Sequence, residues 1–193
     1  MIRIATQADV PAILEIYAPY VLTTTYTFEY DVPTQEEFLA RFRSITERFP
    51  WLVWEEQGRI LGYAYGSAPF ERAAYRWLAE DSVYLRPEAR GRGIGAKLLQ
   101  ALEDILRYQG YGRIYAIITS ENQNSLEFHR KMGYSFLAEF PDCAIKFQKR
   151  LGIIWMDKVL RYVDLSSNFP TPFREIMQDR QKICDILGIL SLF

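Results

Sequence analysis

The segment Pro87-Glu88-Ala89-Arg90-Gly91-Arg92-Gly93-Ile94-Gly95-Ala96-Lys97 constrains this chain more than any other. Its clustered glycines let the backbone turn tightly and reach conformations closed to other residues. A strand-like run, Trp77 to Leu85, leads into it. Ile94, Leu98, Leu99, Leu102, Ile105 and Leu106 follow at helical spacing, and Gly110 closes that helix. A strand that feeds a helix through glycines gathers unpaired N–H groups and the positive end of the helix dipole at one point. That combination suits a phosphate or pyrophosphate. Arg90 and Arg92 add cationic donors.

Three phosphate-binding patterns compete with a plain glycine-rich turn. A P-loop needs Lys followed by Ser or Thr, and here Leu98 follows Lys97. Gly91-x-Gly93-x-x-Ala96 fits a dinucleotide fingerprint in form, but it lies mid-chain, and Glu121 comes too late to hold a ribose. The third pattern is Arg/Gln-x-x-Gly-x-Gly/Ala, met by Arg90 to Gly95.

The flanking sequence predicts a mixed sheet. Ile2 to Ala5 reads as a strand, and Thr6 precedes a helix with Ile13, Ile16, Tyr17 and Tyr20 on one face. A Thr-rich stretch with Tyr26, Phe28 and Tyr30 reads as an ordered loop of the kind that walls a binding site. Thr34 and Glu37 form a capping box for a second helix running to about Arg48. Strands are expected at Trp51 to Glu55, Arg59 to Tyr65, Trp77 to Leu85, Arg113 to Thr119, Tyr134 to Phe140 and Ile145 to Val159. A short helix starts at Asn122 and ends at Gly133. The order β-α-α-β-β-β-α-β-α-β-β implies one mixed α/β domain, residues 1–160, with helices on both faces of the sheet. Residues 161–193 read as an extension: a linker, then a helix from Phe173 to Phe193 with Ile176, Ile183, Ile186, Leu187 and Leu190 on one side. That stripe calls for packing on the domain or on a second subunit.

Composition narrows the partners. With 23 basic and 24 acidic side chains there is no cationic excess for nucleic acid. The two cysteines, Cys143 and Cys184, and the single histidine lack metal-ligand spacing. No secretory signal is visible, and no apolar run reaches the roughly 18 residues of a membrane span. The expectation is a cytoplasmic protein without a metal.

Arg90 to Gly95, preceded by Ser82-Val83-Tyr84-Leu85, resembles the acetyl-CoA loop of the GNAT superfamily. Ser120-Glu121-Asn122-Gln123-Asn124-Ser125 with Phe128-His129-Arg130-Lys131-Met132-Gly133-Tyr134 is similar to the next motif of that superfamily. Ile2-Arg3, Ala8-Asp9-Val10, Gly62-Tyr63-Ala64, Arg72-Ala73-Ala74-Tyr75 and Trp77-Leu78-Ala79-Glu80 resemble the phosphinothricin N-acetyltransferase branch. The resemblance covers about residues 2–160 and leaves out the tail. It implies a central, mostly antiparallel twisted sheet flanked by helices, a homodimer, and transfer of acetyl from acetyl-CoA to the α-amine of a small amino-acid-like molecule. Other amines remain open as acceptors (aminoglycoside, polyamine, protein N-terminus), as does a non-catalytic acyl-CoA-binding module.

The resemblance also implies roles. Val83, Tyr84 and Leu85 would pair with the pantetheine arm. Arg90, Gly91, Arg92, Gly93, Ile94 and Gly95 would cradle the pyrophosphate, and Asn122 and Ser125 would touch the cofactor. Glu80 matches the general base, since a carboxylate in a partly apolar cleft has its pKa raised toward neutrality. Asp81 should point to the opposite face of the strand. His129 stands where many relatives carry a tyrosine, as an acid or as an orienting group. Phe28, Arg72 and Tyr75 would receive the acceptor, with Arg72 holding its carboxylate. Without the resemblance, Glu80 reads as a solvated strand-end charge, His129 as a structural helix residue, and Phe28 and Tyr75 as packing. Arg86, where relatives often have a histidine or a small polar residue, and the tail depart from the branch.

Overall fold

A computed structural model describes residues 1–164 and 166–188. Seven strands form one sheet in the order β1-β2-β3-β4-β5-β7-β6. They are β1 (Ile2–Ile4), β2 (Trp51–Glu56), β3 (Arg59–Ser67), β4 (Leu78–Leu85), β5 (Arg113–Thr119), β6 (Ser135–Lys146) and β7 (Lys149–Val159). Every neighbouring pair is antiparallel except β4 and β5. The mixed α/β sheet expected from the element order is therefore present, with helices on both faces.

Alternation along the strands divides the apolar residues between two cores. On one face, α3 (Ile94–Gln109) buries Leu98, Leu99, Leu102, Ile105 and Leu106 against Leu52, Ala64, Ala79, Ile114 and Ala116. On the other, α1 (Val10–Thr23) and α2 (Gln35–Thr46) bury Ile13, Ile16, Phe38 and Phe42 against Trp51, Val53 and Tyr63. The capping box of α2 forms: Glu37 N–H donates to Thr34 Oγ1 at 3.2 Å, and Thr34 N–H donates to Glu37 Oε2 at 2.8 Å.

The parallel pair is short. β4 and β5 are in register only at Leu78–Arg113, Ala79–Ile114 and Glu80–Tyr115. Beyond Glu80, β4 stays with β3 as far as Leu85, and β5 stays with β7 as far as Thr119. The sheet opens between them. Gly62 of β3 lets the backbone lie close under Leu85, since a Cβ there would meet Leu85 Cδ2 at 2.2 Å.

Two expectations are corrected. Ile145 and Lys146 belong to β6 and not to β7, because the hairpin turns at Phe147 and Gln148. Both have positive φ, 51° and 61°, so the turn has a left-handed geometry without the glycine or asparagine that normally announces it. The tail is two helices: α5 (Phe173–Ile176) and, after a break, α6 (Arg180–Leu187). Phe173, Ile176, Ile183 and Cys184 are buried in the core around α3, so the apolar side of the tail is met within the same chain. The predicted helix beyond Gly188, Leu190 included, lies outside the described residues.

Ile183 is fully buried, so Ile183→Ala leaves a cavity and should destabilise the protein by about 2–5 kcal/mol. Urea unfolding measures this. A loss below about 0.5 kcal/mol would show that the tail adds nothing to the core.

Candidate active site

The glycine loop folds as its residues dictate. A 3-10 turn at Pro87–Ala89 leads to Arg90, and then Gly91 and Gly93 adopt φ of 71° and 76°. Nothing stands within 4 Å of a Cβ built at either one, so their left-handed backbone, and not crowding, calls for glycine. Gly95 differs: a Cβ there would touch Leu85 Cδ1 at 3.4 Å and the Phe128 ring at 3.7 Å. Gly93 starts α3 with no side-chain cap, so the amides of the first turn are left for another acceptor.

A cavity of about 390 Å³ lies in front of this helix start. Of the expected cofactor residues, Val83, Leu85, Arg90, Gly91, Gly95, Asn122 and Ser125 line it, and His129 joins them. Arg92, Gly93 and Ile94 do not. Arg92 is ion-paired with Glu56 of β2 at 2.8 Å, and Ile94 is buried in the core. The ring of Tyr84 packs against Tyr63 and Tyr20. Arg86 ties the end of β4 to its surroundings, donating to Ile60 C=O at 3.0 Å and pairing with Glu15 of α1 at 2.7 Å.

A second, narrower opening of about 80 Å³ passes through the parted strands, between Ser82–Val83–Tyr84 and Ala116–Thr119. Arg86 N–H donates to Leu61 C=O at 2.9 Å. Alternation then turns the polar groups of Leu85 and Val83 toward the gap. Tyr20 satisfies Leu85, its hydroxyl donating to Leu85 C=O at 2.6 Å and accepting from Leu85 N–H at 3.3 Å. The backbone of Val83 is left facing the opening. Arg90 rests on Tyr20, its Nη2 at 3.1 Å from the hydroxyl.

Glu80 sits where the strands part, and no hydrogen bond or ion pair holds it among the described residues. Burial, and then the neighbouring Asp81 charge, raises its carboxyl to about 7. Its neighbour across β5 is Tyr115, which leans on Trp155. Phe70 stacks on Trp155 at 5.6 Å, and Tyr75 packs on Phe70 at 4.7 Å. Tyr75 thus reaches the face of Glu80 through an aromatic chain. Phe28 is half-buried in the loop after α1. That loop is pinned at Thr27, whose hydroxyl meets Tyr17 OH and whose C=O accepts from Lys146 Nζ, both at 2.7 Å. Arg72 is exposed just ahead of the Ala73–Tyr75 turn, and no carboxylate pairs with it among the described residues.

Asp81 points the other way, as strand alternation requires. Its Oδ1 lies 3.0 Å from His129 Nε2, and Tyr134 OH donates to its Oδ2 at 2.9 Å. His129 is on α4 (Gln123–Lys131). Burial is the largest single influence and lowers its affinity for a proton, but the Asp81 charge, the hydrogen bonds to Asp81 and Ser125 C=O and the Glu103 charge together outweigh it, and the net shift is upward. The sequence reading did not single out Asp81 or Tyr134 for the site, nor Tyr20 and Phe128 as its lining. Only the strand parity of Asp81 was visible as a signal.

Residues 2–155 match the acetyltransferase (GNAT) domain family. This chain belongs to the GNAT acetyltransferase family. Among its relatives is the phosphinothricin N-acetyltransferase of Alcaligenes faecalis, 36% identical over 174 residues, which span 88% of this chain and 85% of the relative. The L-methionine sulfoximine/L-methionine sulfone acetyltransferase of Pseudomonas paraeruginosa is 39% identical over 163 residues, spanning 80% of this chain and 91% of the relative. A phosphinothricin acetyltransferase of Sinorhizobium meliloti, solved in complex with acetyl-CoA, superposes with a TM-score of 0.82 at 36% identity, covering 89% of this chain and 92% of that one. The glycine loop is the feature that the sequence placed first.

The raised Glu80 carboxyl carries a stability signature. A carboxyl whose folded pKa is lifted to about 7 favours the fold while protonated. That contribution is complete below the unfolded value near 4.5 and is lost as pH rises through about 7. Glu80→Gln should therefore raise the melting temperature relative to wild type at pH 8, and raise it less at pH 5. Calorimetry at the two pH values checks this, and an equal difference at both would mean that Glu80 is not a raised carboxyl.

Proposed function

We propose that this protein transfers acetyl from acetyl-CoA to the α-amine of a small amino-acid-like acceptor, with Glu80 as general base. One observation carries the reading: a half-buried carboxyl, raised to about 7 and without an ion-pair partner among the described residues, stands at the mouth of the gap between β4 and β5. A base with that pKa is ionised in part at neutral pH and is strong enough to take a proton from an ammonium group as it loses its charge.

The chain's own groups fit the cofactor. Acetyl-CoA, when bound, supplies a thioester to be attacked and a thiolate to leave. The uncapped start of α3, with Gly91 and Gly93 in left-handed conformation, offers amides to a diphosphate. Arg90 adds charge from the cavity wall. The outward backbone of Val83 supports pairing with an amide-bearing chain and polarisation of a carbonyl. Asn122 and Ser125 bound the cavity from the start of α4, and His129 faces it one turn later. Arg92, engaged with Glu56, serves the loop's shape in this reading. Direct transfer needs the amine on the Glu80 side of the gap, where Tyr75 and Phe28 serve as walls. Exposed Arg72 is available for the acceptor's carboxylate. The named relatives act on phosphinothricin and on methionine sulfoximine or sulfone, and each of these molecules carries an α-amine beside a carboxylate.

The same reading includes a cytoplasmic homodimer. Phe136, Leu137, Phe140 and Ile145 stand exposed along the edge strand β6, an apolar surface that suits a second copy. Cys143 and Cys184 are free thiols, as a reducing compartment favours. No helix among the described residues is long and apolar enough to cross a membrane.

Thiol release from acetyl-CoA, measured with phosphinothricin, methionine sulfoximine, methionine sulfone and amines lacking a carboxylate, tests the proposal. Glu80→Gln should keep affinity for coenzyme A and lower turnover by about 10²–10⁴-fold, and wild-type turnover should rise as pH passes through about 7. Unchanged turnover in that variant removes Glu80 as the base. Arg72→Ala should raise KM for the carboxylate acceptors by tenfold or more, roughly the worth of one charge-assisted contact, while KM for acetyl-CoA stays put. An unchanged acceptor KM would detach Arg72 from recognition.

A further inference from the structure

His129 is clamped at both ring nitrogens. Nδ1 lies 2.8 Å from the C=O of Ser125, an atom that can only accept. Nδ1 therefore carries a hydrogen. Nε2 lies 3.0 Å from Asp81 Oδ1. If Asp81 is ionised, Nε2 carries a hydrogen as well and the ring is an imidazolium. If the ring is neutral, Asp81 must hold the proton instead. The surroundings decide between the two. Tyr134 OH already donates to the other oxygen of Asp81 at 2.9 Å, which stabilises a carboxylate.

Of the charges packed around His129, the carboxylates favour a protonated ring and one cation opposes it. From β4 comes Asp81. From α3 comes Glu103, whose negative charge also favours a protonated ring. β7 contributes Lys158, whose Nζ lies 2.6 Å from Glu103 Oε2 and 2.7 Å from Met132 C=O, so this pair is close to neutral as seen from the ring and Asp81 is the dominant charge. From the segment leading into β6 comes the Tyr134 hydroxyl, which stays neutral because burial raises its pKa further. Asp81, His129 and Tyr134 are all buried, at 6%, 5% and 3% exposure, so water does little to screen them.

We infer that Asp81 is a positioning residue that holds His129 as a buried imidazolium, so that the histidine acts on the cavity as a fixed positive charge clamped at both nitrogens. Neither nitrogen is free to meet a ligand directly. What faces the opening is the ring's charge and, beside it, the Ser125 hydroxyl, whose Oγ lies 3.3 Å from Nδ1. A fixed positive charge at that wall stabilises negative charge developing nearby and costs no reorganisation when it does. The effect on turnover rests on the acetyltransferase reading. The charge state of the ring does not.

His129 is the only histidine in the chain, so one imidazole resonance reports on it. The experiment is an NMR titration of the ring carbon-bound protons in the ligand-free protein, with steady-state kinetics in parallel. The expected wild-type midpoint lies above 6.5, the ordinary value. In Asp81→Asn it should fall below that value, by at least about one pH unit, because burial is no longer opposed. Turnover should fall about tenfold or more in that variant, with KM for acetyl-CoA changed less than about twofold. Tyr134→Phe keeps the carboxylate but removes one of its donors, so its midpoint should fall less than that of Asp81→Asn and stay above the ordinary value. That variant and the wild-type titration decide the matter even if Asp81→Asn does not fold. A wild-type midpoint at or below 6.5, or one that Asp81→Asn leaves in place, or one that collapses in Tyr134→Phe, overturns the inference. If calorimetric titration shows no coenzyme A binding while the midpoint is raised and depends on Asp81, the assignment of Asp81 stands and the acetyltransferase reading falls.

Discussion

Two strands that begin as partners and then separate create the site. β4 and β5 pair in parallel through Glu80 and Tyr115 and then part, each kept in the sheet by its other neighbour. A gap inside a sheet leaves backbone N–H and C=O groups without partners, which is costly unless something answers them. Tyr20 answers Leu85, and Val83 is left facing the cavity. The same parting lets α3 begin at the bottom of the gap and α4 close one side of it. The outward backbone of Val83 and the position of Glu80 are thus two consequences of one broken ladder.

Strand alternation separates two charges that adjoin in sequence. Glu80 and Asp81 are consecutive, so their side chains leave opposite faces of β4. Glu80 has no ion-pair partner among the described residues, and burial pushes its carboxyl up to about 7. Asp81 is held instead by the His129 ring and the Tyr134 hydroxyl. One face of the strand therefore carries a carboxyl that can accept a proton near neutral pH, and the other carries a charge balanced inside the core. The like charge of Asp81 lifts Glu80 further, so the two faces are coupled through the strand that divides them.

Much of this was legible in the sequence, for local reasons. The loop from Arg90 to Gly95, the apolar stripe of α3 and the Thr34–Glu37 cap depend on residues within one or two turns of each other, and all three stand in the structure. The failures have physical causes too. The hairpin of β6 and β7 turns on Phe147 and Gln148 in left-handed conformation. Such a conformation costs roughly 1–2 kcal/mol per residue, so it is held by the long strand pairing around it and not by its own residues. The tail read as one helix because its apolar spacing carries across Asp179, whose side chain caps α6 and marks the break. The ion pair of Arg92 with Glu56 spans 36 positions, so a reading of the loop alone does not show it.

The partner of His129 shows where local reading ends. Its helix motif and the strand motif of Glu80 were both visible, and strand parity sent Asp81 to the far face. Parity alone does not say what waits there. Asp81 and His129 lie 48 positions apart, and their meeting depends on β5 sitting between β4 and β7 while α4 folds back over the sheet. Each ring nitrogen then finds an acceptor, one on its own helix and one on the strand. A histidine in that setting differs from a free imidazole in the one property that matters to the cavity: its charge is set by the packed interior and not by the solvent at the mouth. The fold, by burying the pair together with Tyr134, converts a residue that titrates readily in water into a standing part of the site's electrostatic field.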